Sequence, residues 1–262
     1  METNPDNKPD SINPGNTSNG GDYVVVVEHL KKSFDDRCIL KDINLKLAKG
    51  ENLVVLGKSG TGKSVLIKCI VRLLEADGGT ISVFGKNIAE LEAKDLNELR
   101  KKIGFLFQSA ALYDSMSVRE NLEFSIRELQ AKKSDEIDSR VKEALQNVNL
   151  LDAIDAMPSD LSGGMRKRVG LARTLILKPE IILYDEPTTG LDPITSREIS
   201  NLIVEVQQKY NAASLIITHD IACAKTIADR VMLINEGICV AEGTFDELQK
   251  SSNSLVQSFF KQ

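Results

Sequence analysis

The sequence has no long apolar segment and no excess of basic residues. No apolar run among its 262 residues approaches the roughly 18 residues that can span a membrane, and no basic region followed by an apolar stretch opens the chain. Neither a transmembrane helix nor a signal peptide is expected, so a membrane role would require a partner. Lysine and arginine number 33 against 38 acidic residues. Because no overall positive field is available, we expect no nucleic-acid partner.

Cysteine is also scarce. The four cysteines, Cys38, Cys69, Cys223 and Cys239, lie far apart, with no C-x-x-C pair and no histidine at metal-ligand spacing. We predict reduced, mostly buried thiols of a cytosolic protein, without a structural disulfide.

The composition is sufficient for one α/β domain. Hydrophobic residues make up 42% of the chain, which is enough for a substantial core. Residues 1–22 are rich in Asn, Pro, Gly, Ser and Asp and are predicted to form a disordered tail. The domain is predicted over residues 23–250 and a helical tail over residues 251–262.

A glycine-rich stretch is the strongest motif. Residues 57–64 match G-x-x-x-x-G-K-[ST] between a strand-like run and an amphipathic run. Glycines let successive backbone N–H groups surround phosphate oxygens, Lys63 supplies a charge for the β- and γ-phosphates, and Ser64 offers a hydroxyl to Mg²⁺. The alternative is an ordinary Gly-Ser turn. The residues predicted to bind nucleotide are Gly57, Lys58, Ser59, Gly60, Thr61, Gly62, Lys63 and Ser64.

Three further strand-like apolar runs end in polar residues. Because the carboxyl ends of parallel strands meet at one edge of a sheet, we expect these residues to lie near Lys63. The runs and the residues that follow them are 103–107 with Gln108, 181–184 with Asp185 and Glu186, and 214–218 with His219.

These strand ends have side chains suited to ATP chemistry. Asp185 is suited to hold Mg²⁺, Glu186 to orient an attacking water, and His219 to contact a γ-phosphate. A pair of acids without a catalytic role at a strand edge is the alternative.

The two ends of the chain have strand patterns. Residues 23–30 and 43–47 are predicted as strands, with Phe34 in the loop between them and His29 in a structural role at a strand end. Packing alone is an alternative for Phe34. A terminal hairpin is predicted around residues 235–237.

The middle of the chain has helical periodicity. Apolar residues recur at helical spacing from about residue 117 to 158, and the predicted helical subdomain covers about 109–160. Residues 109–116 form an apolar and aromatic loop with few charges. Such a surface indicates a protein contact, with a packed loop as the alternative.

A second glycine stretch, Leu161-Ser162-Gly163-Gly164-Met165, opens a predicted helix. Ser162 is a favourable N-cap, and glycines beside a helix N-terminus can accommodate an anion. Since this stretch has no lysine corresponding to Lys63, it indicates a site that completes a nucleotide held by another copy of the chain. Ordinary helix capping is the alternative.

The order of these motifs over residues 23–250 resembles the ATP-binding subunits of ABC transporters. The signature of that family usually ends in glutamine, and Met165 departs from it. The corresponding motifs are Walker A at residues 57–64, the glutamine loop at Gln108, the signature at residues 161–165, Walker B at 181–186, the D-loop at 190–192, the switch histidine His219 and the adenine-stacking aromatic Phe34.

The resemblance implies a P-loop NTPase core with a mostly parallel sheet, an N-terminal antiparallel β subdomain and a helical insertion. It implies ATP and Mg²⁺ as cofactors, and a head-to-tail pair in which Ser162, Gly163 and Gly164 of one copy close over ATP held by the other. A membrane permease is the implied partner, at the cytoplasmic face of a bacterial inner membrane. The implied roles are catalysis by Lys63, Gln108, Glu186 and His219, metal binding by Ser64, Gln108 and Asp185, and further nucleotide contacts from Phe34 and Asp192.

Three further stretches of sequence make the resemblance more specific. The stretches ALYDSMSVREN, DEPTTGLDPIT and NSLVQSFF are similar to the branch that energises Mla- or Mce-type lipid transport, which implies phospholipid as substrate and a lipid-binding Mce-type subunit. The alternatives are a subunit for amino acids, metal chelates or lipoprotein release, or an ABC ATPase outside transport. The last class usually has coiled-coil arms or a second cassette.

Overall fold

A single mixed sheet runs through the protein. The computed structural model describes residues 23–129 and 134–261, apart from the side chains of residues 128, 129 and 134. The tail predicted for residues 1–22 lies outside the described residues. The strands are β1 (Tyr23–Phe34), β2 (Arg37–Ala48), β3 (Asn52–Leu56), β4 (Gly78–Val83), β5 (Lys86–Asn87), β6 (Ile103–Leu106), β7 (Ile181–Asp185), β8 (Ala213–Thr218), β9 (Arg230–Asn235) and β10 (Ile238–Gly243).

Helices connect these strands and cover the sheet. The sheet order is β5-β4-β1-β2-β10-β9-β3-β8-β7-β6. The helices are α1 (Lys63–Ile70), α2 (Ala93–Arg100), α3 (Val118–Leu129), α4 (Ser134–Gln146), α5 (Gly163–Leu175), α6 (Pro193–Tyr210), α7 (Ile221–Ile227), α8 (Phe245–Gln249) and α9 (Ser254–Phe260).

The strands β9, β3, β8, β7 and β6 are parallel, as the apolar runs predict. Every residue of β3, β7 and β8 is buried. In β3, Val54 and Leu56 belong to one core cluster while Leu53 and Val55 belong to the other, so both faces of the sheet are covered. The register pairs Leu56 with Thr218, which aligns the carboxyl ends of β3 and β8 at one edge.

The N-terminal strands are antiparallel, and β1 is longer than predicted. It pairs with β2 and β4 and continues to Phe34, which is therefore the last residue of a strand and not part of a loop. Irregular register around Val27–Leu30 accompanies the left-handed backbone of His29, whose φ is 52°. His29 lies within the strand and not at its end, and its Nδ1 is 3.0 Å from Asp42 Oδ1.

The predicted helical insertion is confirmed between β6 and β7. Helices α3 and α4 pack on α5 through apolar side chains of the core, among them Val118, Leu122, Val141 and Leu145. Among residues 23–129 and 134–261, no helix has both the length and the apolar character to cross a bilayer.

The cysteines are free, as predicted, but only two are buried. Cys69 and Cys223 lie in the core, whereas Cys38 is exposed and Cys239 is half-buried. The prediction that the thiols are mostly buried is therefore wrong for Cys38 and Cys239. Burial raises the pKa of the Cys69 and Cys223 thiols to about 11, because it disfavours the thiolate. Both core thiols are therefore protonated and unreactive at neutral pH.

The C-terminal helices return to the sheet. The terminal hairpin of β9 and β10 forms around residues 235–237 as predicted. Helix α9 packs on α8, where the rings of Phe245 and Phe260 meet edge to face at 5.3 Å. Phe259 of α9 is buried, and Lys58 Nζ lies 5.8 Å from the centroid of its ring. The helical tail therefore reaches the glycine-rich loop that follows β3.

Candidate functional site

The loop between β3 and α1 has the backbone that its glycines predict. Gly60 and Gly62 have φ values of 81° and 96°, which residues with a Cβ rarely adopt. A Cβ on Gly62 would also lie 2.8 Å from Leu40 Cδ2, and one on Gly57 would lie 2.6 Å from the carbonyl oxygen of Ile234. The turn is therefore available only to glycine at these points.

Lys63 turns its ammonium group into this loop. Its side chain is 5% exposed, and Nζ donates to the carbonyl oxygens of Gly57 at 2.8 Å and Lys58 at 3.0 Å. Glu186 Oε1 lies 3.3 Å from the same nitrogen. The ammonium charge is thus held within the loop at the start of α1, and a lysine beside a helix N-terminus favours a phosphate.

Ser64 and Asp185 form the candidate magnesium site. Ser64 Oγ donates to Asp185 Oδ1 at 3.0 Å. Desolvation raises the pKa of Asp185, which is 7% exposed, while the hydrogen bond from Ser64 lowers it. A buried carboxylate that faces a hydroxyl fits a divalent cation. Within the described residues no three His, Cys, Asp or Glu side chains are grouped around a metal position, so Mg²⁺ would take its other ligands from phosphate and water.

Glu186 is held in one orientation by neighbouring polar groups. Its backbone is left-handed, with φ 49°, directly after β7. Glu186 Oε2 is 2.8 Å from His219 Nδ1 and accepts the hydroxyls of Thr189 at 3.1 Å and Thr218 at 3.3 Å. The ends of β3, β7 and β8 thus bring Lys63, Glu186 and His219 together, as their positions in the sequence predict.

Gln108 stands apart from this cluster. It follows β6 by two residues and is exposed, and its side chain has no hydrogen-bond partner in the part of the chain that the structure describes. The position at the end of β6 agrees with the prediction, but Gln108 makes no hydrogen bond to Ser64 or Asp185, which bond to each other. Its role as a metal ligand therefore stays a prediction.

The second glycine stretch begins α5. Ser162 Oγ caps the helix by accepting the backbone N–H of Met165 at 3.2 Å, while Ser162 itself is exposed. Gly164 is buried, and a Cβ there would lie 2.4 Å from Thr195 Cγ2 of α6. Gly164 therefore also serves packing within the chain, whereas Ser162 and the half-buried Gly163 are accessible to a second molecule.

Asp192 and Phe34 have local contacts of their own. Asp192 caps α6, with Oδ1 accepting the backbone N–H groups of Ile194 and Thr195 at 3.0 Å each. The ring of Phe34 lies at the tip of the β1–β2 hairpin, 42% exposed, with Lys32 Nζ 5.4 Å from its centroid. An exposed ring of this kind can stack with a base.

Lys167 is a site residue that the sequence analysis missed. It lies on the buried face of α5 and donates from Nζ to the backbone carbonyl oxygen of Glu186 at 3.1 Å. Burial lowers its pKa, and the carboxylates of Asp185 and Glu186 act in the opposite direction. A lysine at helical spacing between Gly164 and Leu171 of the buried face was the signal that could have revealed it.

Asn121 is a second missed residue. It is fully buried in α3, and its Nδ2 donates to the carbonyl oxygens of Tyr113, Met116 and Ser117 at 2.9 to 3.1 Å. Its Oδ1 accepts the N–H of Tyr113 at 2.8 Å. One side chain thus fixes the loop that was predicted as a protein-contact surface, where Tyr113 is 46% exposed.

The glycine-rich loop lies between the buried parallel strand β3 and helix α1, and two acids stand at the end of β7, two strands away in the sheet. This arrangement defines a P-loop nucleotide-binding ATPase. The family model described as "ABC transporter" matches residues 40–189. The chain belongs to the ABC transporter family, as an ATP-binding cassette that uses ATP with Mg²⁺.

Three named relatives are similar over nine tenths of the chain. The probable ribonucleotide transport ATP-binding protein mkl of Mycobacterium leprae is 41% identical over 90% of this chain and 68% of its own length. The methionine import ATP-binding protein MetN of Clostridium acetobutylicum is 37% identical over 91% and 74%. The intermembrane phospholipid transport system ATP-binding protein MlaF of Haemophilus influenzae is 37% identical over 91% and 90%.

Solved structures share the fold. The protein cbiO1 of Clostridium perfringens, described as part of an ABC transporter complex, matches 92% of this chain and 98% of its own, with 32% identity and a TM-score of 0.80. A dimeric ATP-binding cassette in a post-hydrolysis state, bound to ADP and Pi, matches 84% of this chain and 98% of its own, with 29% identity and a TM-score of 0.77. The predicted P-loop NTPase fold is thereby confirmed.

Proposed function

We propose that this protein is the ATPase subunit that drives a separate membrane permease for phospholipid or a related lipid. The observation that carries the lipid assignment is the match to the phospholipid transport protein of Haemophilus influenzae. This match covers 90% of that relative's length, whereas the matches to the other two relatives named above cover 68% and 74%. The three sequence stretches that resemble the Mla- or Mce-type branch support the same assignment.

In this proposal, the chain's own residues hold and activate the reactants. Lys63 and the backbone of residues 57–64 bind the β- and γ-phosphates. Ser64 and Asp185 would hold Mg²⁺, which would neutralise charge on the phosphates. Glu186 accepts hydrogen bonds on Oε2 from several groups, and its carboxylate orients the attacking water and draws a proton from it. His219, 2.8 Å away, orients Glu186 and contacts the γ-phosphate.

The complete site is proposed to need two copies of the chain. Ser162 and Gly163 are accessible at the start of α5, and the positive end of that helix is suited to an anion brought by another molecule. The dimeric structure of a cassette bound to ADP and Pi supports the pairing of two copies, and the family resemblance implies that they pair head to tail. ATP then joins the two copies, and hydrolysis removes the contacts that held them together.

The loop of residues 109–116 is the proposed contact with the permease. It connects Gln108, at the catalytic edge, to α3, and Tyr113 presents an exposed ring that packs edge to face on Phe124 at 5.0 Å. A lipid-binding Mce-type subunit would complete the assembly. The protein would accordingly lie on the cytoplasmic face of a bacterial inner membrane, attached through this partner.

Affinity purification tests this assignment. Tagged protein expressed at its native level and extracted from membranes in mild detergent should bring down a permease together with phospholipid. Tyr113→Asp should lower the yield of the permease, whereas Tyr23→Asp should not, since Tyr23 is similarly exposed but lies on the antiparallel strands. Recovery of a permease with an amino-acid-binding or nucleotide-binding component would favour the functions of the other relatives. Recovery of only soluble partners would overturn the transport assignment.

A further inference from the structure

The loop after Gln108 contains two consecutive residues with a left-handed backbone. Ala110 has φ 61° and Ala111 has φ 48°. Residues with a Cβ disfavour this region because the Cβ approaches the carbonyl oxygen, and they usually occupy it singly. Two alanines in succession require contacts elsewhere that hold them in this conformation.

Arg173 of α5 provides these contacts. Its Nη2 donates to the carbonyl oxygen of Ala110 at 2.9 Å, and its Nη1 donates to that of Ala111 at 2.8 Å. The planar guanidinium is suited to two parallel hydrogen bonds of this kind, which a lysine could not reproduce. Both strained peptide units are therefore bound by one side chain of α5, the helix that Ser162 caps.

The packing around Ala110 is as close as the hydrogen bonding. Ala110 is 1% exposed, and its N–H donates to the carbonyl oxygen of Phe107 at 2.9 Å. A Cβ on Gly170 of α5 would lie 3.0 Å from Ala110 Cβ, so the glycine leaves room for the turn. Ala111, by contrast, is exposed. At position 111 the strain is therefore opposed chiefly by Arg173.

The rest of the loop is equally fixed, while Gln108 is not. Asn121 binds the backbone of residues 113–117, and Arg173 binds residues 110 and 111. Gln108 has no partner of its own for its side chain among the described residues. Its position therefore depends on the backbone of β6 before it and of the turn after it.

We propose that Arg173 is a positioning residue for Gln108: it holds the strained Ala110–Ala111 turn and thereby sets where Gln108 stands relative to the Ser64–Asp185 site. This inference rests on the proposed function as an ATPase and on the predicted role of Gln108 in catalysis and metal binding. Since Arg173 and Ser162 lie on the same helix, a shift of α5 when a second copy binds would be transmitted to Gln108.

Steady-state ATP turnover by the purified full-length chain tests the proposal. Arg173→Met should lower kcat by roughly tenfold or more, with little change in KM for ATP, because misplacement of Gln108 affects chemistry and not the Walker A contacts. Adding Ala111→Gly should restore kcat, since glycine favours the left-handed turn by roughly 5- to 30-fold over alanine. Glu236→Gly is the matched control: Glu236 is also exposed and left-handed, with φ 49°, but lies in the β9–β10 turn.

The proposal is contradicted if Arg173→Met keeps the wild-type kcat, or if Glu236→Gly rescues it as well as Ala111→Gly, since rescue would then reflect general stability.

A double-mutant cycle with Gln108→Ala is the second test. If Arg173 acts through Gln108, Arg173→Met should not reduce kcat further in the Gln108→Ala background, whereas multiplying defects would show an independent role. All variants are compared by thermal unfolding. If the wild-type chain does not hydrolyse ATP, the proposed function is wrong. If it does, these experiments test the role of Arg173 independently of which permease is recovered.

Discussion

His219 Nδ1 lies 2.8 Å from Glu186 Oε2, across the ends of two neighbouring parallel strands. The other carboxylate oxygen of Glu186 is 3.3 Å from Lys63 Nζ, so one acid connects the residue after β8 with the first residue of α1. Glu186 and His219 are 33 positions apart in the sequence and Lys63 precedes both by more than a hundred, yet the three residues form one cluster. This arrangement depends on the parallel register that aligns β3, β7 and β8.

Glu186→Gln should abolish turnover while ATP binding persists. The amide has nearly the same shape and can still contact His219 and Lys63, but it cannot accept a proton from water, so kcat should fall by roughly 10²- to 10⁴-fold. Phosphate release and fluorescent-nucleotide binding measure the two effects. Glu180→Gln is the control, because Glu180 precedes the same strand and pairs with Lys102 on the surface. Undiminished hydrolysis in Glu186→Gln would remove Glu186 from its proposed role.

Phe34→Ala should weaken ATP binding without slowing catalysis. If the exposed ring stacks on adenine, its loss should cost about 1–3 kcal/mol, which appears as a raised KM with kcat nearly unchanged. Tyr23→Ala is a close control. Tyr23 lies at the other end of β1 and also has a lysine near its ring, with Lys46 Nζ 5.5 Å from the centroid. Equal effects of the two substitutions would argue against stacking.

Asp77→Asn should destabilise the fold in a pH-dependent way. Asp77 Oδ1 accepts a hydrogen bond from Lys32 Nζ at 2.7 Å, and Oδ2 accepts one from the N–H of Ser33 at 2.6 Å. The bond from Lys32 and, to a smaller extent, the bond from Ser33 hold the pKa of Asp77 below its ordinary value. A lowered folded-state pKa stabilises the native state above the unfolded-state pKa, and this stabilisation is lost as pH falls through the folded-state value.

Urea denaturation at several pH values tests this prediction. The difference in unfolding free energy between wild type and Asp77→Asn should be constant from neutral pH down to about 5 and should shrink below about 4, where the unfolded state takes up the proton before the native state does. Asp36→Asn, in the adjacent hairpin turn, serves as the control. A difference that grows on acidification would contradict the assigned contacts.

Met165→Gln should have little effect on activity. The cap of α5 uses the backbone N–H of Met165, and its half-buried side chain packs against the core, so the usual signature glutamine is not needed for the helix. We expect a loss of about 1 kcal/mol in stability and a kcat within about twofold of wild type. Gly164→Ala in the same motif should be far more disruptive, because its Cβ would meet Thr195. A large change in kcat for Met165→Gln would assign its side chain a direct role.

The sequence was sufficient to predict the strands that are buried on both faces of the sheet. Strands such as β3 and β8 appear as unbroken apolar runs, and glycines mark the turns, so the catalytic edge could be predicted. The extension of β1 to Phe34 could not, because residues 31–33 are polar and the strand is irregular there. Arg173, Lys167 and Asn121 were missed for another reason: their partners are backbone carbonyl oxygens distant in sequence or in a loop. The helical position of Lys167 could have indicated a buried lysine, but the sequence does not show which carbonyl oxygens the three side chains bind.

A mixture of two inactive variants tests most directly whether the site is shared between two copies. Ser162→Arg retains the phosphate loop and Glu186, while Glu186→Gln retains Ser162, so a mixed pair should contain one complete site. Equal amounts should recover roughly a quarter of wild-type turnover, since half of randomly formed pairs are mixed and each has one working site. Replacing the Glu186→Gln partner by the Ser162→Arg/Glu186→Gln chain should abolish the recovery. A mixture that stays as inactive as its components would contradict the shared site.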